Sequence, residues 1–251
     1  MSFWYIAFRL FSITLSVVGL GGAALLLRQS LRNRGDRARR VLAFILLMWG
    51  LPSLPDCFRP LSGPWLPIEP LGALSLIIGN LYVIISLLYP LERARPGWIT
   101  PRRLVLLFTP FVLCSGLYFL VLALLGQPML TLHGSMDMLL HFGEFNVWYR
   151  LVLYLTICFY LAYLFLSTSV SALELSYRDS AILDRRCIAW LRFYGAGMAC
   201  VTLAYLGVML YGTLQSLVIH RMTTTLFFGT FALNAVFNRP LHIFTPAPEK
   251  P

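Results

Sequence analysis

The sequence predicts an all-α membrane protein, a bundle of seven transmembrane helices with its amino end outside and its carboxyl end in the cytoplasm. Three observations predict it. Hydrophobic residues make up 59% of the chain and charged residues only 12%, whereas a soluble domain carries about 25% charged residues. Seven apolar stretches follow one another along the 251 residues, and at 1.5 Å of rise per residue about 20 apolar residues cross the hydrocarbon core. The arginines gather in alternate gaps. Six lie in 28–40, four in 93–103 and four in 174–192, whereas 56–69, 127–146 and 220–221 together hold only Arg59 and Arg221. Lysine and arginine resist translocation, so the basic gaps mark the cytoplasmic side.

The first span, 3–27, follows a start without the basic region or small-residue cleavage site of a signal peptide, so it reads as an uncleaved anchor. The second, 41–54, is short. The basic gaps before it and after the third span share a side, so an even number of crossings separates them and the short span is kept, with Arg39 and Arg40 snorkelling. Pro60, Pro64, Pro67 and Pro70 forbid a helix in 56–69 and favour an extended cap. The third span, 68–89, ends at Pro90 and Pro96, which force an extended bend that Trp98 anchors at the headgroups. Pro110 kinks the fourth span, 104–125. The segment 127–146 is acidic, and 133–145 alternates polar and apolar residues as a helix on the outer surface would. The last spans are 147–171, 193–219 and 222–237, the final one flanked by Arg221 and Arg239, and 238–251 is a Pro-rich cytoplasmic tail. Gly19 with Ala23 and Gly195 with Ala199 mark close helix packing.

Of the twenty Lys and Arg, sixteen fall in the cytoplasmic segments, so the net charge of +10 is a topology signal and an attraction to anionic lipid rather than to nucleic acid. The expected first partner is the lipid bilayer. The five cysteines form no framework, since no pair shares an oxidising compartment, and no disulfide is expected.

Arg9 and Arg150 break the arginine pattern, since both lie inside spans near the outer end. Intramembrane charges are costly and often functional. The plain reading is that they snorkel or pair with Asp137 or Glu144. The sharper one is an outward cup in which guanidinium forks bind an anionic ligand. Asn80 and Asn234, inside the third and seventh spans, serve as interhelical hydrogen bonders or as ligand and relay positions, with Arg239 at the cytoplasmic exit. His133, Asp137 and His141 follow at i, i+4 and i+8, and with His220 in another outer loop they have the chemistry of a zinc site. Surface positions on an amphipathic helix explain them better. No HExxH element, nucleophile elbow or glycine-rich phosphate loop occurs, so neither an enzyme nor a cofactor is expected.

Two motifs carry a resemblance. One is Tyr89-Pro90-Leu91-Glu92-Arg93-Ala94-Arg95-Pro96-Gly97-Trp98, the other Phe145-Asn146-Val147-Trp148-Tyr149-Arg150-Leu151. Together they resemble the amino-terminal membrane regions of Bacteroidales AraC-type helix-turn-helix regulators. The resemblance implies a bacterial inner-membrane domain that senses an envelope ligand or protein and biases a cytoplasmic regulator. No DNA-binding domain follows the seventh span in this sequence, so direct nucleic-acid binding by this chain is not expected. The expected function is envelope sensing or signalling. A small-molecule transporter, which would need a midplane site, is the alternative, and a metal-dependent membrane hydrolase the second alternative.

Overall fold

Long apolar runs have only one way to satisfy their backbone groups in lipid without a closed barrel, which is to bond within the segment as helix. The chain follows that rule. The structure, a computed structural model, describes residues 3–32, 36–58, 69–133, 135–178 and 185–237 and, apart from 135 and 171–188, their side chains. In chain order the elements are α1 (Phe3–Arg32), α2 (Arg37–Gly50), a 3-10 turn (Leu51–Ser53), α3 (Leu54–Phe58), α4 (Ala73–Ala94), α5 (Pro101–Leu125), α6 (Ser135–Leu140), α7 (Phe145–Arg178), α8 (Arg185–Tyr211) and α9 (Leu214–Phe237). Among the described residues there is no strand.

Among the described residues six helical stretches are long and apolar enough to cross a membrane: α1, Arg37–Phe58, α4, α5, Phe145–Val170 of α7 and Ala189–Tyr211 of α8. By that measure this is a multi-pass membrane protein. Helix α9 has 24 residues, about 36 Å at 1.5 Å per residue, but its first half carries Gln215, His220, Arg221 and three threonines. It runs in the same direction as α1. Thr225 Oγ1, midway along α9, lies 3.2 Å from the Phe11 carbonyl, and further along both helices Gln29 Nε2 donates to the Val236 carbonyl. Helix α1 lies between α2 and α9, α4 packs on α7, α8 touches α4, α7 and α9, and α5 is the outlying helix against α7 and α4.

Burial alone does not drive helices together in lipid, where tails are as apolar as Leu, so close packing has to. Small residues provide it. A Cβ on Gly19 would lie 2.6 Å from the Gly50 Cα of α2, and one on Gly22 would lie 3.0 Å from the Ala232 Cβ of α9. Gly195 faces Thr168 across the α7–α8 contact, with 2.7 Å between its would-be Cβ and Oγ1. Leu15, Leu26, Ile45, Leu76, Leu153, Phe228 and Phe231 fill the interior.

Three of the prolines inside helical stretches, Pro52, Pro90 and Pro110, each meet a tyrosine from another helix. Proline lacks the N–H that would bond the carbonyl four residues back, and its ring pushes that carbonyl away. Four residues before Pro90 is Ser86, whose carbonyl accepts from Tyr194 on α8 at 2.9 Å. Four before Pro52 is Met48, whose carbonyl accepts from Tyr82 on α4 at 3.0 Å. At Pro110 of α5, Tyr160 of α7 donates to the Leu107 carbonyl and accepts from the Phe111 N–H, so its hydroxyl is inserted into the helical ladder.

These bonds explain where the helices depart from the sequence reading. Pro90 does not end the third span. Helix α4 continues through it to Ala94, and the bend is closed by buried Glu92, whose carboxylate accepts from the Gly97 and Ile99 N–H groups. The second span is not short: α2 tightens into a 3-10 turn at Pro52 and resumes as α3, so 56–58 is helical rather than part of an extended cap. The break before the last helix is at Gly212, in the left-handed region at φ +59°, with the Thr213 hydroxyl accepting the Ser216 N–H. His220 and Arg221 are therefore not a loop but lie in the second turn of α9. The surface helix is shorter than 133–145, being α6 alone, so His133 precedes it and the i, i+4, i+8 line does not form. Pro60, Pro64, Pro67, Trp65, Arg59, Arg239 and the tail 238–251 lie outside the described residues.

Candidate functional site

The ends of the bundle differ in kind. One gathers the arginine-bearing termini of α1, α2, α4 and α5, and the other gathers α3, α6 and the α8–α9 turn. The intramembrane charges belong to the second end.

Arg150, in the second turn of α7, is fully buried, and its donors are engaged. Nη1 pairs with Glu69 at 2.6 Å, Nε donates to the Asn146 carbonyl at 2.9 Å, and Nη2 reaches both the Leu130 carbonyl and Asn146 Oδ1. Asn146 also accepts from Tyr118 and donates to the Pro128 carbonyl, while Glu69 accepts the Leu132 N–H. The Glu69 position depends on the turn before α4, where Leu71 adopts a left-handed φ of 47° and donates to the Met209 carbonyl. A non-glycine residue held there costs about 1–3 kcal/mol and persists only when its surroundings over-determine it. This arrangement ties the 128–132 segment to α7 and to the entry of α4.

Arg9 does not join Arg150 in a cup. Its Nε donates to the Cys57 carbonyl at the last turn of α3, where a cation is favoured. Asp137 and Glu144 do not pair with Arg150 either. Both flank His141, with Nδ1 to Glu144 at 2.7 Å and Nε2 to Asp137 at 3.5 Å, and Asp137 accepts the His133 N–H. The exposed His141 ring has its pKa raised above the usual value, first by its hydrogen bond to Glu144 and then by the two neighbouring carboxylates. His220 takes no part in this cluster, and among the described residues no three His, Cys, Asp or Glu side chains come together to hold a metal. Asn80 is fully buried and bridges helices, donating to the Leu76 and Leu153 carbonyls, with its Oδ1 unmatched. Asn234 is half-buried in the second half of α9.

What the sequence reading missed lies between α2, α4, α8 and α9. A cavity of about 310 Å³ opens there, walled by the rings of Trp49, Tyr82 and Tyr205 and by Thr202, His220 and Arg221. That volume is in the range of small-molecule sites, which run from about 300 to 1,000 Å³. The tyrosine hydroxyls are already committed, Tyr82 to the carbonyl freed by Pro52 and Tyr205 to the Ser75 carbonyl, so their rings rather than their polar tips form the wall. Gly79 makes room for Tyr205: a Cβ there would lie 2.4 Å from the ring.

The polar atoms of this cavity are only partly matched. Arg221 donates from Nη1 to Ser53 and from Nη2 to Asp56, both at 2.6 Å, with the Phe8 ring 5.6 Å from its Cζ. Its buried Nε has no hydrogen-bond partner in the protein, nor have Thr202 Oγ1 and His220 Nδ1. The other imidazole nitrogen, Nε2, is 3.4 Å from Thr224 Oγ1, and that hydroxyl gives its single hydrogen to the His220 carbonyl at 2.7 Å. Thr224 can therefore only accept from the ring. In the tautomer that makes this bond Nε2 carries the hydrogen, and Nδ1 is left as a buried acceptor. Buried polar groups in proteins are nearly all hydrogen-bonded, and an unmatched one costs about 1–3 kcal/mol. Three around one cavity are the chemistry of a binding site. No protein-family model matches the chain, and comparison with curated proteins and with solved structures finds no match either.

Proposed function

We propose that the chain is a non-enzymatic sensor of the bacterial inner membrane that binds a small molecule in the His220–Arg221 cavity and passes its occupancy along α9. In this reading α9 is the seventh crossing, the arginine-rich end is cytoplasmic and the acidic end faces outward, as the positive-inside rule requires. The observation that carries the reading is the cavity wall itself, with His220 Nδ1 and Thr202 Oγ1 buried and unmatched.

Helix α9 is suited to the relay because it joins the two ends of the bundle. It bears His220 and Arg221 in its second turn and Asn234 in its last, where Gln29 of α1 grips the Val236 carbonyl. A ligand that prefers one position of α9 shifts the population by its difference in affinity between the two positions. The partner that reads the shift is a cytoplasmic regulator, following the resemblance to AraC-type membrane regulators. Binding without passage is supported by the aromatic packing between the cavity and the arginine-rich end. There Trp190 and Phe231 stand 4.1 Å apart and Phe227 lies 4.7 Å from Phe231.

The test is transcriptional. Deleting the gene changes a defined set of transcripts, the wild-type chain restores them, and Thr202→Val, delivered to the membrane at equal abundance, does not. An unchanged transcript profile on deletion would overturn the sensor reading.

A further inference from the structure

The matching pattern of the cavity specifies more than its presence, and we infer that its ligand is an uncharged amphiphile drawn from the bilayer, with a hydroxyl or carboxamide head on an apolar, ring-sized body. This rests on the sensor reading only for its physiological purpose. The chemistry follows from four features of the site.

First, the head group must donate, because His220 Nδ1 is the lone-pair side of the imidazole, its other nitrogen being turned to Thr224. Second, the same head must accept, because Arg221 Nε presents a hydrogen and nothing receives it. His220 and Arg221 both line the cavity, and a hydroxyl or a primary carboxamide has both functions. The Thr202 hydroxyl, on the α8 side, takes either role.

Third, the head carries no charge. Arg221 already has the Asp56 carboxylate at 2.6 Å, with side chains only 16% and 13% exposed. An anion would compete with Asp56, and a cation would face the guanidinium. In a poorly solvated site such an unpaired charge is strongly disfavoured. Fourth, the body is apolar and flat enough to lie among Trp49, Tyr82 and Tyr205. The rim gives the source. Its exposed members, Pro52 on the α2–α3 stretch and Ile78 on α4, are apolar and belong to two helices long enough to cross a membrane. A molecule dissolved in the membrane therefore reaches the mouth sideways between α2 and α4.

The probes are a matched set: benzamide, benzyl alcohol, benzoate, benzylammonium and toluene, each titrated against the full chain in nanodiscs of zwitterionic lipid. Saturable change in tryptophan fluorescence and in thermal unfolding is the readout. Benzamide and benzyl alcohol bind saturably, and the other three bind at least tenfold more weakly. Thr202→Val and His220→Phe each lower benzamide affinity about tenfold, and the nearly isosteric Thr202→Val keeps the test available if His220→Phe fails to fold. A 4-octylbenzamide added to the lipid binds at lower total concentration than benzamide. Equal binding of benzoate and benzamide, or no saturable binding by any probe, overturns the ligand class, whereas the sensor reading falls only on the transcript test. Benzamide binding without any gain from the octyl chain overturns the bilayer source.

Discussion

Arg150 and Arg221 are two arginines with carboxylate partners at the same end of one bundle, the first fully buried and the second with its side chain 16% exposed, and their surroundings are opposite. Arg150 meets a carboxylate, a side-chain amide and two carbonyls. Arg221 meets a carboxylate and a hydroxyl, keeps a buried N–H without a protein partner, and borders a cavity of about 310 Å³. A charge drawn into the bundle marks both positions as important, but only the second has capacity left to recognise something else. The first is structural cement. The difference lies in matching rather than in charge.

That contrast can be broken by experiment. The largest effect is expected at the saturated site. Arg150→Met leaves Glu69, Asn146 and the Leu130 carbonyl without their donor, and removing one member of a buried ion pair costs about 3–5 kcal/mol. Thermal unfolding in nanodiscs measures it, and a change under about 1 kcal/mol, well below that range, would show that Arg150 does not hold the loop. Asp56→Asn comes next. Its pair is partly exposed, so the cost is discounted to about 2 kcal/mol. The sharper readout is selectivity, since an Arg221 released from its carboxylate should raise benzoate affinity relative to benzamide at least tenfold.

Gly79→Ala follows. The added methyl displaces the Tyr205 ring, at about 1–3 kcal/mol for an overpacked contact, and benzamide binding falls while hydrogen exchange at 128–132, beside Arg150, is unchanged. Loss of protection at both places would mean that the two sites are not independent. The smallest effect concerns His141, outside the bundle. Its folded pKa is raised, so its contribution to holding the 137–144 turn is fully present below its unfolded value near 6.5 and is lost as pH rises through the folded value. Salt screens an exposed pair of this kind. An NMR titration of the ring gives a midpoint above 6.5 that returns toward it in Glu144→Gln.

How much of this could be read from the sequence depends on how far each residue's partners lie along it. The helical layout was legible because arginine spacing and apolar run length are local patterns. The helix ends were not. Pro90 looks like a terminator until Tyr194, 108 residues beyond Ser86, supplies the missing bond. His220 and Arg221 read as a loop because a charge inside a span is unfavourable, and what makes Arg221 tolerable is Asp56, 165 residues away. Arg150 stood out as an exception, but its acid is Glu69, 81 residues back, rather than Asp137 or Glu144 nearby. The run His220, Arg221 and three threonines, polar at helical spacing between two apolar stretches, was the signal that could have located the cavity.

The tyrosines opposite the prolines bear on how such a sequence can change over time. A proline and the hydroxyl that completes its helix form one unit, although they sit on different helices. If Pro90 is replaced by another residue, the recovered N–H returns to the Ser86 carbonyl and Tyr194 loses its reason to be tyrosine rather than phenylalanine. The same holds for Pro52 with Tyr82, while at Pro110 the Tyr160 hydroxyl bridges the Leu107 carbonyl and the Phe111 N–H, the next pair along the ladder. Among descendants of this chain, these positions should therefore be inherited and lost in pairs. A lineage that keeps the tyrosine without its proline would have found another use for the hydroxyl.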